Sequence, residues 1–246
     1  MWRGLLLGGM GRQVIDWQEF WNDYPARLAE HDFLAQVCHT DQGRAYAPEV
    51  FDAMVDGIAQ SLDLAPHHSL FDICCGNGVV TRRLAARCAR AVGLDFSRPL
   101  IELARQHHAI ATLDYRLGDA LDLAAMDLGG PFDRICLYGA LQHFDDSGID
   151  RLFAGIVHHA TRDAVVLIGA VPDAARKHLF LNTPEKQAQH LRYQREGRDR
   201  MGTWWDRATL ATAAARAGLT CHFDDESPGR PGGHYRFDLR LTWLPE

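Results

Sequence analysis

The residues best suited to chemistry in this chain begin with Leu70-Phe71-Asp72-Ile73-Cys74-Cys75-Gly76-Asn77-Gly78, an apolar run that reaches an acid and then two glycines one residue apart. A glycine-rich turn between a buried strand and a helix lets the backbone bend sharply and brings main-chain N–H groups close to a ligand. The segment therefore reads as a nucleotide-binding turn. Two common versions of such a turn do not fit. A dinucleotide turn needs a third glycine at position 81, where this chain has Thr81, and a P-loop needs Gly-Lys-Ser/Thr, which is missing here. Downstream, Ala91-Val92-Gly93-Leu94-Asp95-Phe96-Ser97 reads as a second strand ending in an acid. Asp95 lies at about the distance where such folds place a ribose-binding carboxylate. Asp119 ends a third strand in Leu117-Gly118-Asp119-Ala120, and His143 follows a fourth, Phe132 to Tyr138. A histidine near its ordinary pKa of about 6.5 can act as a general base.

The spacing of Asp72, Cys74, Gly76 and Gly78 resembles the first motif of class I S-adenosylmethionine-dependent methyltransferases, Asp/Glu-x-Gly-x-Gly-x-Gly, with Cys74 in place of the family's first glycine. Three further motifs follow in family order, around Asp95, Asp119 and Leu137 to Phe144, and the resemblance covers residues 66 to 171. It implies S-adenosyl-L-methionine as cofactor, bound by Asp72, Cys74, Gly76 and Gly78 at the turn. It also implies that Asp95 accepts both ribose hydroxyls, that Asp119 and the Ala120 amide read the adenine, and that Phe96 and Leu121 sandwich its ring. Leu137 belongs to the fourth strand, and the loop beyond it faces the transferred methyl. Related small-molecule enzymes fold an N-terminal segment over the methionyl end, which implies cofactor contact for Tyr24; packing of a helix's aromatics on the core is the alternative. A thiol at position 74 fits if its backbone stays extended, so Cys74 is expected to be structural and unreactive.

Within that resemblance the expected activity is methyl transfer to a small-molecule acceptor, with a hydroxyl oxygen favoured over nitrogen. The competing reading is a non-catalytic nucleoside-binding or regulatory module of the same fold. Displacement from a sulfonium asks the protein mainly to hold the nucleophile in line and exclude water. A hydroxyl acceptor must also lose a proton, and His143 is the best-placed base; loop packing is its alternative role. Tyr138 is expected to orient the acceptor, His234 is a weaker base candidate, and Trp204 with Trp205 either walls the acceptor pocket or packs the last helix.

These residues need a scaffold, and the pattern supplies one. Asp16 and Glu19 form a capping-box-like start for a helix carrying Trp17, Phe20 and Trp21, and Pro48 opens a second with Phe51, Met54, Val55, Ile58 and Leu62 at helical spacing. Strands near 69 to 74, 89 to 95, 114 to 118, 132 to 138 and 164 to 171 alternate with helices near 79 to 87, 98 to 107 and 149 to 160. Such alternation implies a parallel, doubly wound α/β sheet. A last helix between Asp206 and Gly218 precedes two strands, near 220 to 224 and 235 to 243. The expected fold is a Rossmann-like seven-stranded methyltransferase sheet with a C-terminal antiparallel hairpin and helical lid segments. Residues 1 to 65 are expected to form an N-terminal extension and lid, and residues 66 to 246 the domain, with an acceptor-lid insert at 172 to 205.

Composition is consistent with one domain: 246 residues, 47% hydrophobic and 24% charged. A net charge of -6 disfavours nucleic-acid partners. The six scattered cysteines suggest neither a zinc site nor a disulfide framework, so a cytoplasmic location is expected. Residues 1 to 10 are too short an apolar stretch for a membrane span or signal peptide and read as a disordered extension, with Met10 an alternative start. The insert carries an excess of three positive charges, among them Arg176, Lys186, Arg198 and Arg200, which could attract an anionic acceptor; a solvated helix from Thr183-Pro184 to Gly197 is the plainer reading. The doubled histidines at 67 and 68, 107 and 108, and 158 and 159 are read as surface residues, with no metal expected.

Overall fold

Leu70, Phe71 and Ile73 are fully buried, as a strand covered on both faces requires, and they lie in β1 (Ser69–Ile73) at the centre of a seven-stranded sheet. The computed structural model describes residues 15–226 and 230–244; the expected extension at residues 1 to 10 lies outside them. The other strands are β2 (Arg90–Asp95), β3 (Leu113–Leu117), β4 (Phe132–Tyr138), β5 (Ala160–Pro172), β6 (Leu219–Asp225) and β7 (Arg236–Trp243). Their order is β3-β2-β1-β4-β5-β7-β6, parallel from β3 through β5. β7 runs antiparallel to both of its neighbours, which gives the closing hairpin. The order reverses between β1 and β4, so a crevice opens beyond their carboxyl ends.

Helices cover both faces. α1 (Trp17–Asp23) starts at Asp16, whose carboxylate accepts from the amides of Gln18 and Glu19. α2 (Pro48–Ser61) buries Phe51, Met54, Val55 and Ile58 against the sheet. α3 (Thr81–Ala85) is shorter than the periodicity predicts, and α4 (Arg98–His107) is capped by Ser97. α5 (Asp146–His159) begins three residues earlier than expected because Asp145 caps it through the amides of Ser147 and Gly148. α6 (Pro184–Arg195) lies in the insert, and α7 (Arg207–Arg216) stops before Gly218, which takes φ +77°. β5 is longer than predicted, and its register to β7 shifts between Ile168 and Val171, where Ala170 adopts φ +58°. A two-stranded hairpin, Thr40–Asp41 with Arg44–Ala45, precedes α2 and has no signal in the hydrophobic pattern.

The doubled histidines do not all sit on the surface. His68, His108 and His159 are buried, and each has a main-chain partner that pays for its desolvation. His68 accepts from the Ala65 amide, His108 meets the Asn77 carbonyl at 2.8 Å, and His159 meets the Leu123 carbonyl at 2.8 Å. No group of three or more metal-ligating side chains comes together among the described residues. No described helix is long and apolar enough to cross a membrane.

Candidate cofactor and acceptor site

The turn after β1 is shaped by three left-handed residues at alternate positions: Cys74 at φ +60°, Gly76 at +58° and Gly78 at +79°. The expectation of an extended backbone at Cys74 is therefore incorrect. Cys74 occupies a conformation that costs an L-residue roughly 1–2 kcal/mol, and that is why glycine suits the position. Burial, then the carboxylates of Asp95, Asp72 and Asp119, push its thiol well above its ordinary pKa, so it is no thiolate nucleophile.

Hydrogen bonds take up three amides of this turn. Gly76 N donates to Asp95 Oδ2 at 2.9 Å, Cys75 N to the Leu94 carbonyl, and Gly78 N to the Cys75 carbonyl. Asp95 accepts again through Oδ1, from Ser97 N at 2.8 Å. Asn77 ties the turn to the N-terminal segment by donating to the Phe33 carbonyl and to Gln36 Oε1. Thr81, where a third glycine would stand, donates its hydroxyl to Asp72 Oδ2. Asp72 nonetheless has its pKa raised to about 7, chiefly by burial and further by Asp95; Asp95 itself rises to about 6, again through burial.

One cavity of about 250 Å³ joins the turn to the ends of β2, β3 and β4. Asp72, Cys74, Gly76 and Asp95 line it on one side. Phe96, Asp119, Ala120 and Leu121 line it on another, with Asp119 held by the Leu121 amide at 2.9 Å. Tyr138 and His143 line it as well. No lysine or arginine lines this cavity, whereas four aspartates do, Asp145 being the fourth.

His143 packs its ring 4.1 Å from Trp17 and 5.5 Å from Trp21, centroid to centroid, and its Nδ1 is buried without a partner among the described residues. Burial, then the charge of Arg236, lowers its pKa to about 3. It is a neutral imidazole at physiological pH, far from the near-neutral base expected of it. His39, which the sequence did not single out, lines the same cavity and is lowered to about 4 by the same two causes. Trp17 and Trp21 also line it and were placed in the sequence only as helix aromatics.

Other expected site residues lie elsewhere. Tyr24 stacks on Phe20 and donates to the Ala35 carbonyl at 3.2 Å, beside a second cleft of about 740 Å³ between α1 and α6. Gly78 backs onto Tyr115, whose hydroxyl a Cβ there would strike. Leu137 is wholly buried in the core. Trp204 packs against Phe180 and Tyr235, and His234 is exposed beside Tyr235. Trp205 is a core residue whose Nε1 donates to the Leu141 carbonyl. The cations of the insert do not reach the cavity. Arg176 pairs with Asp225, Arg198 with Glu196, and Arg200 lies over Phe20 and Tyr24.

Residues 70–163 match a family described as a methyltransferase domain. The chain is 28% identical over 148 residues to a dTDP-3-amino-3,6-dideoxy-alpha-D-glucopyranose N,N-dimethyltransferase of Streptomyces fradiae, covering 59% of this chain and 54% of the relative. It is 28% identical over 123 residues to a ubiquinone biosynthesis O-methyltransferase of Chromobacterium violaceum, covering 48% of this chain and 52% of the relative. The chain thus spans about half the length of these relatives. Among solved structures, the magnesium protoporphyrin IX methyltransferase of Synechocystis is similar in fold, with a TM-score of 0.64 at 15% identity, over 92% of this chain and 98% of that one.

Proposed function

We propose that this chain, whose residues 70–163 match a methyltransferase domain family, binds S-adenosyl-L-methionine in the 250 Å³ cavity and methylates a small-molecule acceptor, a hydroxyl oxygen in preference to nitrogen. The observation that carries the reading is the acidic cavity, at whose turn the Gly76 amide is already bonded to Asp95. A dinucleotide pyrophosphate would need free N–H groups or a cation at the turn. Here Gly76 N is bonded to Asp95, and the wall carries aspartates instead. That chemistry suits a cationic adenosyl ligand.

In this reading Asp95 takes the ribose hydroxyls with the lone pairs its two amide bonds leave free, and Asp119 with the Ala120 amide reads the adenine between Phe96 and Leu121. When bound, the cofactor supplies an electrophilic methyl carbon on a sulfonium. Trp17 and Trp21 exclude water from that end of the cavity, and residues 15 to 65 together with the insert at 172 to 205 act as its covers. His143 contacts the acceptor as a neutral hydrogen-bonding ring. Its low pKa makes it a poor place to leave a proton.

Calorimetric titration tests the reading directly. S-adenosylhomocysteine should bind saturably and NAD should not. NAD binding with no response to S-adenosylhomocysteine would overturn it.

A further inference from the structure

A hydroxyl acceptor must lose a proton, and His143 is not suited to keep it. The cavity wall offers another route at the carboxyl end of β4. Tyr138 lines the cavity, and its hydroxyl donates to Glu226 Oε1 at 2.8 Å. Glu226 is 5% exposed, and its second oxygen, Oε2, has no hydrogen-bond partner among the described residues. A buried carboxylate with an unused oxygen is costly unless it serves a purpose.

The surroundings hold this pair in place. Arg230 Nη1 lies 3.4 Å from the Tyr138 hydroxyl, 3.6 Å from Glu226 Oε1 and 3.8 Å from Asp238 Oδ2. Its guanidinium fits against α2 because residue 57 is glycine; a Cβ there would collide with it. Glycine is unfavourable inside a helix, so this room comes at a cost to α2. Asp238 also accepts from the Ala170 amide at the bulge of β5, and Arg236 donates to the Ala170 carbonyl. The charged groups acting on Glu226 are thus Arg230, Arg236 and Asp238. Burial first, then Asp238, raises its pKa, which brings the carboxylate closer to the acidity a proton acceptor needs.

We propose that Tyr138 takes the proton of a hydroxyl acceptor while Glu226, acting through Tyr138, receives the proton that Tyr138 gives up. This rests on the methyl-transfer reading above. As the acceptor oxygen bonds to the methyl carbon, the bond from that carbon to sulfur breaks and its electron pair stays on sulfur. The acceptor's proton passes to the Tyr138 oxygen, and the Tyr138 proton passes to Glu226 Oε1. The products are a methyl ether, S-adenosylhomocysteine and a protonated Glu226, which later releases its proton to solvent. Tyr138 is the catalytic residue of the pair and Glu226 its positioning and proton-holding partner.

The test uses the full chain with S-adenosylmethionine and four probes: 4-nitrophenol, catechol, 4-methoxyphenol and, as an amine that needs no base, aniline. Glu226→Gln should slow transfer to catechol and 4-methoxyphenol by roughly 10²-fold. It should slow the more acidic 4-nitrophenol and the amine aniline far less, and remove the acidic limb of the wild-type phenol pH profile. Tyr138→Phe should show the same ordering, and it decides the matter if Glu226→Gln does not fold. An equal loss on all four probes, or an unchanged pH limb, overturns the proposal in favour of a structural role. Turnover of aniline alone, or no turnover of any phenol by a wild-type protein that binds S-adenosylhomocysteine, overturns it as well. Failure to bind S-adenosylhomocysteine would instead strike the methyl-transfer reading.

Discussion

The main-chain N–H of Gly76 donates to Asp95 Oδ2 at 2.9 Å, so the acid that ends β2 closes the turn that ends β1. The same carboxylate takes the Ser97 amide on its other oxygen. One residue therefore fixes the turn, holds the amide of Ser97, which caps α4, and lines the cavity.

Asp95→Ala should weaken S-adenosylhomocysteine binding by roughly 10- to 100-fold, in line with about 1.5–3 kcal/mol for a hydrogen bond to a charged group. It should also destabilise the free protein, because two buried amides lose their acceptor. Asp95→Asn keeps one acceptor oxygen and should lose less stability than affinity. Calorimetry and urea unfolding of both variants separate the two effects. Unchanged affinity in folded Asp95→Ala would remove this residue from the ligand site.

Cys74→Gly should raise stability by about 1 kcal/mol, since the left-handed conformation at this position strains an L-residue and not glycine. Cys74→Val should lower it. Urea midpoints at constant m-value read both, with S-adenosylhomocysteine affinity retained in the glycine variant. A destabilised Cys74→Gly would mean that thiol packing outweighs the backbone strain.

What could be read in advance followed from how local each signal is. The glycine turn, Asp95, Asp119 and the strand alternation lie within short, regular stretches, where period and spacing carry the information. Cys74 was misjudged because a side-chain type does not report its own φ. His39 arrives at the cavity from an irregular loop, and Glu226 and Arg230 lie between β6 and β7 in sequence; long-range packing alone brings the last two toward Tyr138. Leu137 and Tyr138 were both placed near the site, but alternation along β4 sends the first into the core. The insert's charges were visible, whereas their partners Asp225 and Glu196, and the rings of Phe20 and Tyr24, were not.

Asp72 should make stability fall with rising pH. Its folded pKa, about 7, exceeds its ordinary value of 3.8, so its favourable contribution is complete below 3.8 and lost as pH rises through 7. His39 and His143, lowered to about 4 and 3, act in the opposite sense: stability is lost as pH falls from 6.5 toward those values. The wild-type profile blends the two. The Asp72→Asn difference isolates the first, since Asn can still accept from Thr81. The stabilisation from Asp72→Asn should be small at pH 4 and largest above pH 7, each pKa unit being about 1.4 kcal/mol. A difference independent of pH would mean that Asp72 is ionised throughout. In the wild type, binding of cationic S-adenosylmethionine near pH 6 should release protons, measurable by calorimetry in buffers of different ionisation enthalpy.

His143 provides the sharpest contrast between a base and a contact. Its ring packs against Trp17 and Trp21 with Nδ1 unpartnered among the described residues, and burial followed by Arg236 lowers its pKa to about 3. Nitrogen-15 NMR of labelled histidine should show this imidazole neutral down to pH 5. The free protein should gain acid stability on His143→Phe: the neutral ring is disfavoured once pH drops below 6.5, and the replacement removes both the titration and the buried unpaired nitrogen. In turnover, His143→Ala should lower kcat by about tenfold or less without introducing or removing a limb near neutrality, because a ring held near pKa 3 cannot set one there. A loss of 10²- to 10⁴-fold together with the disappearance of a wild-type limb near pH 6.5 would return the base to His143. It would also mean that a bound acceptor raises the pKa of the ring by several units.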